Sequence, residues 1–132
     1  GDPERRMPLE EVEGQTVVKN GHVVELFLQE AGVTEIPTAI GTLTKLKRLH
    51  CYGDRELKIP LLRSISPAIS ACSEMQELLL NSNELTTLPV EITKLTRITV
   101  LALADNRLTD LPKEVRTWVM RFDPKGLALQ AK

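Results

Sequence analysis

The chain has 132 residues and a net charge of −1, and its hydrophobic fraction is 42% although aromatic residues contribute only 3%. This length is enough to bury the core of one domain without disulfides, and the shortage of aromatics predicts a core of Leu, Ile and Val. The balanced charge argues against nucleic acid or an anionic membrane as a partner, because both attract cationic surfaces.

The sequence carries no signal that directs the chain into or through a membrane. No apolar stretch reaches the roughly 18 residues of a membrane-spanning helix, and the N-terminal residues GDPERRMPLEE lack a signal peptide's apolar segment. Since the chain begins without Met, residues 1–6 are either an added remnant or a processed end, with Met7 a candidate native start. Cys51 and Cys72 are too few for a disulfide scaffold, so we expect a cytoplasmic protein.

The first predicted element is a β-hairpin over residues 16–26. Asn20 and Gly21 separate two β-branched runs, and this pair favours a type I′ turn because both residues tolerate positive φ. The hairpin would cover the open edge of the structure that follows. We therefore assign residues 1–22 to an N-terminal segment and capping hairpin strand.

From residue 23 onwards the chain repeats itself. ELLLNSNELTTLPVEITKLTRI (77–98) aligns with VLALADNRLTDLPKEVRTW (100–118) at an offset of 23, and the same template reaches residues 25–46. Leucines at positions 26, 49, 78 and 101, and prolines at 37, 60, 89 and 112, both recur with steps of 23, 29 and 23. Two markers with the same steps indicate one repeated unit. The four predicted units cover residues 23–45, 46–74, 75–97 and 98–121.

The second unit is longer than its neighbours, as the step of 29 shows. With Ile59 and Pro60 in the Leu-Pro position of the repeat, the extra residues are predicted at 61–66, LLRSIS. Ser66 and Pro67 would then begin a short helix as its N-cap and first residue. This insertion either contacts a partner, as loops often do, or tucks its apolar side chains under the convex side.

The last predicted elements follow Pro112. KEVRTWVMRF (113–122) has the spacing of an amphipathic helix, with Val115, Trp118, Val119 and Phe122 on its inner face. DPKG would turn the chain, and LALQ (127–130) would add a final strand. We assign residues 122–132 to a C-terminal cap, and caps at both ends lead us to expect nearly a whole protein.

The repeated pattern L-x-x-L-x-L-x-x-N-x-L-x-x-L-P-x-x-I-x-x-L resembles the leucine-rich repeat family, with short intracellular-type units of about 23 residues. The chain departs from the pattern at Ala31 and Asp54, which stand where Asn is expected, and at Glu56, where the expected leucine is displaced by one to Leu57. Since no unit can bury its apolar face alone, the units are expected to stack. The expected fold is an α/β solenoid, a right-handed curved superhelix with a parallel sheet on its concave face and helical or 3₁₀ segments opposite. The resemblance also implies a module that binds a protein or peptide.

Asn83 and Asn106 occupy the recurring asparagine position. A buried amide without a partner would cost roughly 1–3 kcal/mol, so these side chains must be bonded. A catalytic asparagine would have no reason to recur once per unit. We expect both to bond backbone groups of the turn and of the neighbouring unit, like the asparagine ladder of the family.

Alternation along the strands places the outward side chains in three rows across the sheet. The rows are Glu25, Arg48, Glu77, Val100; then Phe27, His50, Leu79, Ala102; then Gln29, Tyr52, Asn81, Ala104. The first row alternates in charge and is predicted to form ion pairs. The second row and its neighbour Tyr52 expose apolar and aromatic groups, which often mark a binding surface. The candidate partner-binding residues are Phe27, Gln29, Arg48, His50, Tyr52, Glu77, Leu79, Asn81 and Val100. Alternatively, residues 2–15 fold over this patch, or the exposed apolar groups are merely tolerated.

Residue chemistry argues against catalysis. His50 and Cys51 are adjacent, but neighbouring strand residues point to opposite faces and cannot act as base and nucleophile together. The sequence has no Gly-rich phosphate loop and no Cys/His set at zinc spacing, so we expect no cofactor and no metal. The leading reading is an adaptor or scaffold that binds a protein or peptide. A self-associating homodimer and, less favoured, an enzyme or small-molecule binder are the alternatives.

Overall fold

The computed structural model describes residues 15–29 and 31–131. The predictions for residues 1–14, including a native start at Met7 and a cover over the sheet, lie outside this part. The strands are β1 (Gln15–Lys19), β2 (His22–Phe27), β3 (Glu35–Ile36), β4 (Arg48–His50), β5 (Ser64–Ile65), β6 (Glu77–Leu79) and β7 (Val100–Ala102). The helices are the 3₁₀ segments η1 (Thr38–Thr42), η2 (Arg55–Leu57), η3 (Pro67–Ala71) and η4 (Val90–Lys94), and the α-helices α1 (Lys113–Phe122) and α2 (Pro124–Ala128).

Five strands form one sheet in the order β1-β2-β4-β6-β7. β1 and β2 are antiparallel, and each later strand pairs in parallel with the one before it in the sheet. The register places the inward leucines opposite one another, and all of them are buried: Leu26, Leu49, Leu78 and Leu101. The predicted mixed α/β fold with a parallel sheet is therefore confirmed.

The turn between β1 and β2 has the geometry that its two residues favour. Asn20 has a φ of 52° and Gly21 a φ of 78°, as a type I′ turn requires, and Lys19 pairs with His22 across it. The hairpin places β1 at the edge of the sheet, beside β2.

The core lies between the sheet and the 3₁₀ segments. Ile40, Ile69 and Ile92 are fully buried on η1, η3 and η4, which pack successively against one another. Each segment begins after an extended residue and is held by bonds three residues apart, such as Ile92 N to Pro89 O at 3.0 Å. Such a turn brings apolar side chains three residues apart to one face, so each unit adds one layer to the core.

The insertion in the second unit lies earlier than predicted. Leu62 N donates to Asn83 Oδ1, as Leu85 N donates to Asn106 Oδ1, so Leu62 and Leu85 hold equivalent positions. The Leu-Pro position is taken by Ile65 and Ser66. The Ser66 hydroxyl accepts from Ala68 N and caps η3. Ser66 thus occupies the position that proline has in the other units, and Pro60 does not. Asp54–Pro60 therefore fill the place of a single residue, and the prediction of an inserted loop at 61–66 is wrong.

The α-helix α1 covers the predicted residues, and its inward side chains Val115, Trp118 and Val119 are buried. The predicted final strand at 127–130 is wrong, because Pro124–Ala128 form the helix α2 instead. The Asp123 carboxylate accepts from Gly126 N at 3.1 Å and caps this helix, with Pro124 in its first turn. The cap at Asp123 and the proline in the first turn favour a helix over a strand for this short apolar stretch.

The C-terminal segment supplies the last unit with the bonds that a following unit would make. In earlier units, Cys51 N and Leu80 N donate to carbonyls of the next strand. In the last unit, Leu103 N donates to the Asp123 carboxylate at 2.8 Å, and Leu108 N to Gln130 Oε1 at 2.9 Å. These two backbone donors are thus bonded by side chains of the C-terminal segment, and Asp105 N donates to its backbone at Leu129 O, 2.7 Å away.

Candidate functional site

The outward residues of the sheet form the rows that alternation predicts. Glu25 pairs with Arg48 and Arg48 with Glu77, while Phe27 pairs with His50 and His50 with Leu79. These side chains lie opposite the buried leucines. We call this surface the exposed sheet face.

The first row of the exposed sheet face is an ion-pair row. Arg48 Nε lies 3.0 Å from Glu77 Oε2, and Arg48 Nη1 lies 3.7 Å from Glu25 Oε1. A contact that sequence reasoning missed joins this row to the second, since His50 Nε2 lies 3.1 Å from Glu77 Oε1. Val100 closes the row without charge and is 45% exposed.

The second row carries the aromatic cluster. The Phe27 and His50 rings meet edge to face with centroids 4.9 Å apart, and the His50 and Tyr52 rings lie 6.5 Å apart. Phe27, His50 and Leu79 are half-buried and Tyr52 is exposed. The His50 ring therefore has contacts with two different side chains, Phe27 and Glu77.

The remaining candidates, Gln29 and Asn81, are half-buried at the end of the rows. Within residues 15–29 and 31–131, the buried Gln29 Oε1 has no hydrogen-bond partner. Strand register and ring contacts bring seven of the nine candidates onto one face, whereas Gln29 and Asn81 lie beyond the ends of β2 and β6.

The recurring asparagines are buried and bonded between units. Asn83 Nδ2 donates to Cys51 O at 2.7 Å and Leu80 O at 3.0 Å, and its Oδ1 accepts from Leu62 N at 2.9 Å. Asn106 repeats the arrangement with Leu80 O, Leu103 O and Leu85 N. Each amide therefore joins its own turn to the preceding unit, and neither is free for chemistry.

Gln130 adds a third amide of this kind, which sequence reasoning missed. Its Nε2 donates to Leu103 O at 2.9 Å and Gly126 O at 2.8 Å. Leu103 in the last unit is equivalent to Leu80 in the third, whose carbonyl accepts from Asn106. Gln130 therefore bonds the last unit as the asparagine of a following unit would. The sequence signal for this role is weak. Gln130 is a polar residue that follows Asn106 by about the length of one repeat.

Arg55 anchors the insertion at residues 54–60 to the neighbouring units. Arg55 Nη2 donates to Asn83 O at 2.9 Å and to Asp105 O at 3.0 Å, and Arg55 Nε donates to Asp105 Oδ2 at 3.1 Å. Arg55 thereby ties the second unit to the turns of the third and fourth. The insertion leaves Leu57 exposed beyond this contact.

The two cysteines have no nucleophilic character. Burial raises the pKa of the Cys51 thiol to about 12 and that of the Cys72 thiol to about 11. Cys72 Sγ points at the carbonyl of Ile40, 3.3 Å away. Both thiols therefore stay protonated at neutral pH and serve as small core residues.

Neither a metal site nor a membrane span is evident in the part of the chain that the structure describes. No three His, Cys, Asp or Glu side chains of residues 15–29 and 31–131 come together as metal ligands would. Among the same residues, every helix is too short or too polar to cross a bilayer.

Stacked units, parallel pairing of the repeat strands and buried inter-unit amides together form a leucine-rich repeat fold. No protein-family profile matches the chain. It is 39% identical over 72 residues to a probable serine/threonine-protein kinase, pats1, of Dictyostelium discoideum, a match that spans 49% of this chain and 2% of that protein.

One solved structure supports this fold, and a second has a weaker likeness. A leucine-rich repeat protein of Leptospira interrogans superposes with a TM-score of 0.60 at 26% identity, covering 83% of this chain and 27% of that one. The leucine-rich repeat ectodomain of the receptor kinase SOBIR1 from Arabidopsis thaliana gives a TM-score of 0.41 at 20% identity, with 81% and 72% covered. The chain thus shares the leucine-rich repeat fold of the Leptospira protein, and it spans only a small part of the Dictyostelium and Leptospira proteins.

Proposed function

We propose that the chain is a non-enzymatic adaptor or scaffold of the cytoplasm that binds a protein or peptide on the exposed sheet face. This face would form the concave side of a right-handed solenoid, with the β1–β2 hairpin and the helices α1 and α2 as its caps. The leucine-rich repeat fold generally serves protein–protein interaction, which supports the proposal.

The aromatic cluster is the observation that carries the proposal. Phe27, His50 and Tyr52 hold their rings in contact on a surface that could have been wholly polar. Aromatic side chains fixed in advance lose little entropy on binding, and such residues supply a large share of interface energy. The neighbouring ion-pair row would act as a polar rim.

The test compares two pairs of substitutions in affinity capture from a lysate of the organism that encodes the chain. Phe27→Glu with Tyr52→Glu is expected to lower recovery of the wild-type partner at least tenfold, because a hot-spot pair is worth about 2 kcal/mol or more. Val90→Glu with Met120→Glu is the matched control, since both side chains are about half exposed away from the sheet. Circular dichroism establishes that all variants are folded.

The outcomes separate the candidate functions. Equal recovery by both pairs would contradict binding on the exposed sheet face. A self-associating unit is the second candidate, favoured because another copy could cover the same apolar row. It would replace the first if the wild-type chain sediments as a dimer, Phe27→Glu with Tyr52→Glu sediments as a monomer, and neither captures a partner.

A further inference from the structure

Two adjoining hollows lie at the edge of the sheet where the parallel strands begin. One has a volume of about 220 Å³ and the other about 270 Å³. Both are lined by Lys19, Val24 and Lys47. The first also includes Glu25 and Arg48, so it opens directly beside the ion-pair row of the exposed sheet face.

The charges at these hollows are unevenly matched. Arg48 lies between Glu25 and Glu77, and Lys45 Nζ lies 3.2 Å from Glu74 Oε2. Within residues 15–29 and 31–131, no carboxylate lies at ion-pair distance from Lys19 or Lys47, the two cations that both hollows share. Two ammonium groups around one depression repel each other, and an anion between them removes that repulsion.

The surroundings favour the carboxylates of a polypeptide as the occupant. A nucleic acid or an anionic bilayer is bound by many cations together. Among the described residues, these hollows offer two cations without an ion pair, on a chain of net charge −1. Arg48, the forked donor suited to phosphate, is already engaged by two carboxylates. On β2 and β4, Glu25 and Arg48 are followed two positions later by Phe27 and His50, about 7 Å along each strand.

We propose that the partner is a polypeptide that carries acidic residues next to an apolar anchor. The anchor lies on the Phe27–His50–Leu79 row, and one or two carboxylates lie in the hollows on Lys19 and Lys47. This inference rests on the proposed function and specifies the chemistry of its partner. The two unpaired lysines set the direction in which the segment crosses the sheet.

The test uses a phage-displayed library of random 12-residue peptides selected on the wild-type chain. We expect the selected peptides to be enriched in Asp and Glu beside an aromatic or aliphatic residue. For the strongest peptide, Lys19→Gln with Lys47→Gln should raise Kd about tenfold at low salt, and salt should remove most of that difference. The matched control, Lys94→Gln with Lys125→Gln, removes the same charge from other surfaces and should change Kd less than twofold.

The results distinguish this inference from the proposed function. Peptides that require Phe27 and Tyr52 but ignore the lysine pair would overturn the inference and leave the proposed function standing. A library that yields no peptide, or none that Phe27→Glu with Tyr52→Glu weakens, would overturn both. Phosphatidylserine vesicles that bind the wild-type chain more tightly than the peptides, with the same lysine dependence, would overturn the inference in favour of a membrane surface.

Discussion

Replacing Asn83 with alanine is expected to lower the free energy of unfolding by about 4 kcal/mol. The substitution removes the bonds to Cys51 O, Leu80 O and Leu62 N in a site where Asn83 is only 2% exposed. Buried backbone groups that lose their partners each cost about 1–3 kcal/mol, and shared relaxation keeps the sum below the arithmetic total. Guanidinium-induced unfolding followed by circular dichroism measures the change.

Asn81→Ala is the control for this prediction. Asn81 lies two residues before Asn83 in the same turn, but its side chain makes no hydrogen bond to residues 15–29 or 31–131. We expect it to cost about 0.5 kcal/mol or less. If Asn83→Ala cost no more than Asn81→Ala, the amides would not hold the units together, and the architectural role of the recurring asparagine would be contradicted.

Replacing Gly53 with alanine is expected to cost about 3 kcal/mol in free energy of unfolding. Gly53 passes closely under the turn of the third unit, where its N–H donates to Asn81 O at 2.9 Å. A Cβ at this position would lie 1.9 Å from Ser82 O and 2.8 Å from Leu61 Cδ2. Since Ser82 O belongs to the backbone, the two units must move apart, and overpacking of this kind typically costs about 1–3 kcal/mol or more.

Gly21→Asn is the control for Gly53→Ala. Gly21 also sits in a turn, but apart from its chain neighbours no atom of residues 15–29 and 31–131 lies within 4 Å of the Cβ position, and Asn tolerates its positive φ of 78°. We expect a change of about 0.5 kcal/mol. A chevron analysis of both variants reports the stability, and full stability of Gly53→Ala would disprove the close approach between the second and third units.

The rows of the sheet could be predicted from the sequence because strand geometry leaves little freedom. A period of two decides which residues face outward, and repetition in register then aligns Phe27 with His50 and Leu79. The recurrence of asparagine at equivalent positions also predicts a structural and not a catalytic role for Asn83. These conclusions need only local periodicity and the assumption that equal units stack alike.

The position of the insertion could not be read from the prolines. Ile59-Pro60 has the sequence pattern of the Leu-Pro pair. In the other units this pair precedes a 3₁₀ segment or helix, and Ser66 with Pro67 can begin such a segment equally well. Either residue pair satisfies the pattern. Only the bond from Leu62 N to Asn83 Oδ1 decides between them, and that bond joins residues in different units.

Contacts between residues that are distant in the chain could not be predicted from the sequence either. Arg55 and Asp105 are 50 positions apart, and the Glu77 contact of His50 depends on side-chain rotamers. The helix α2 is an intermediate case. Four apolar or neutral residues cannot be assigned to helix or strand by period alone, but Asp123-Pro124 is a recognisable helix start.

Binding of a polypeptide on the exposed sheet face can be followed by NMR. The isotope-labelled chain is titrated with a partner or peptide obtained as above, and the backbone amide shifts are followed residue by residue. Binding on this face should concentrate the shifts on His22–Phe27, Arg48–Tyr52 and Glu77–Asn81, while η1, η3 and η4 stay unchanged. Shifts confined to those 3₁₀ segments, with the strands unaffected, would contradict it.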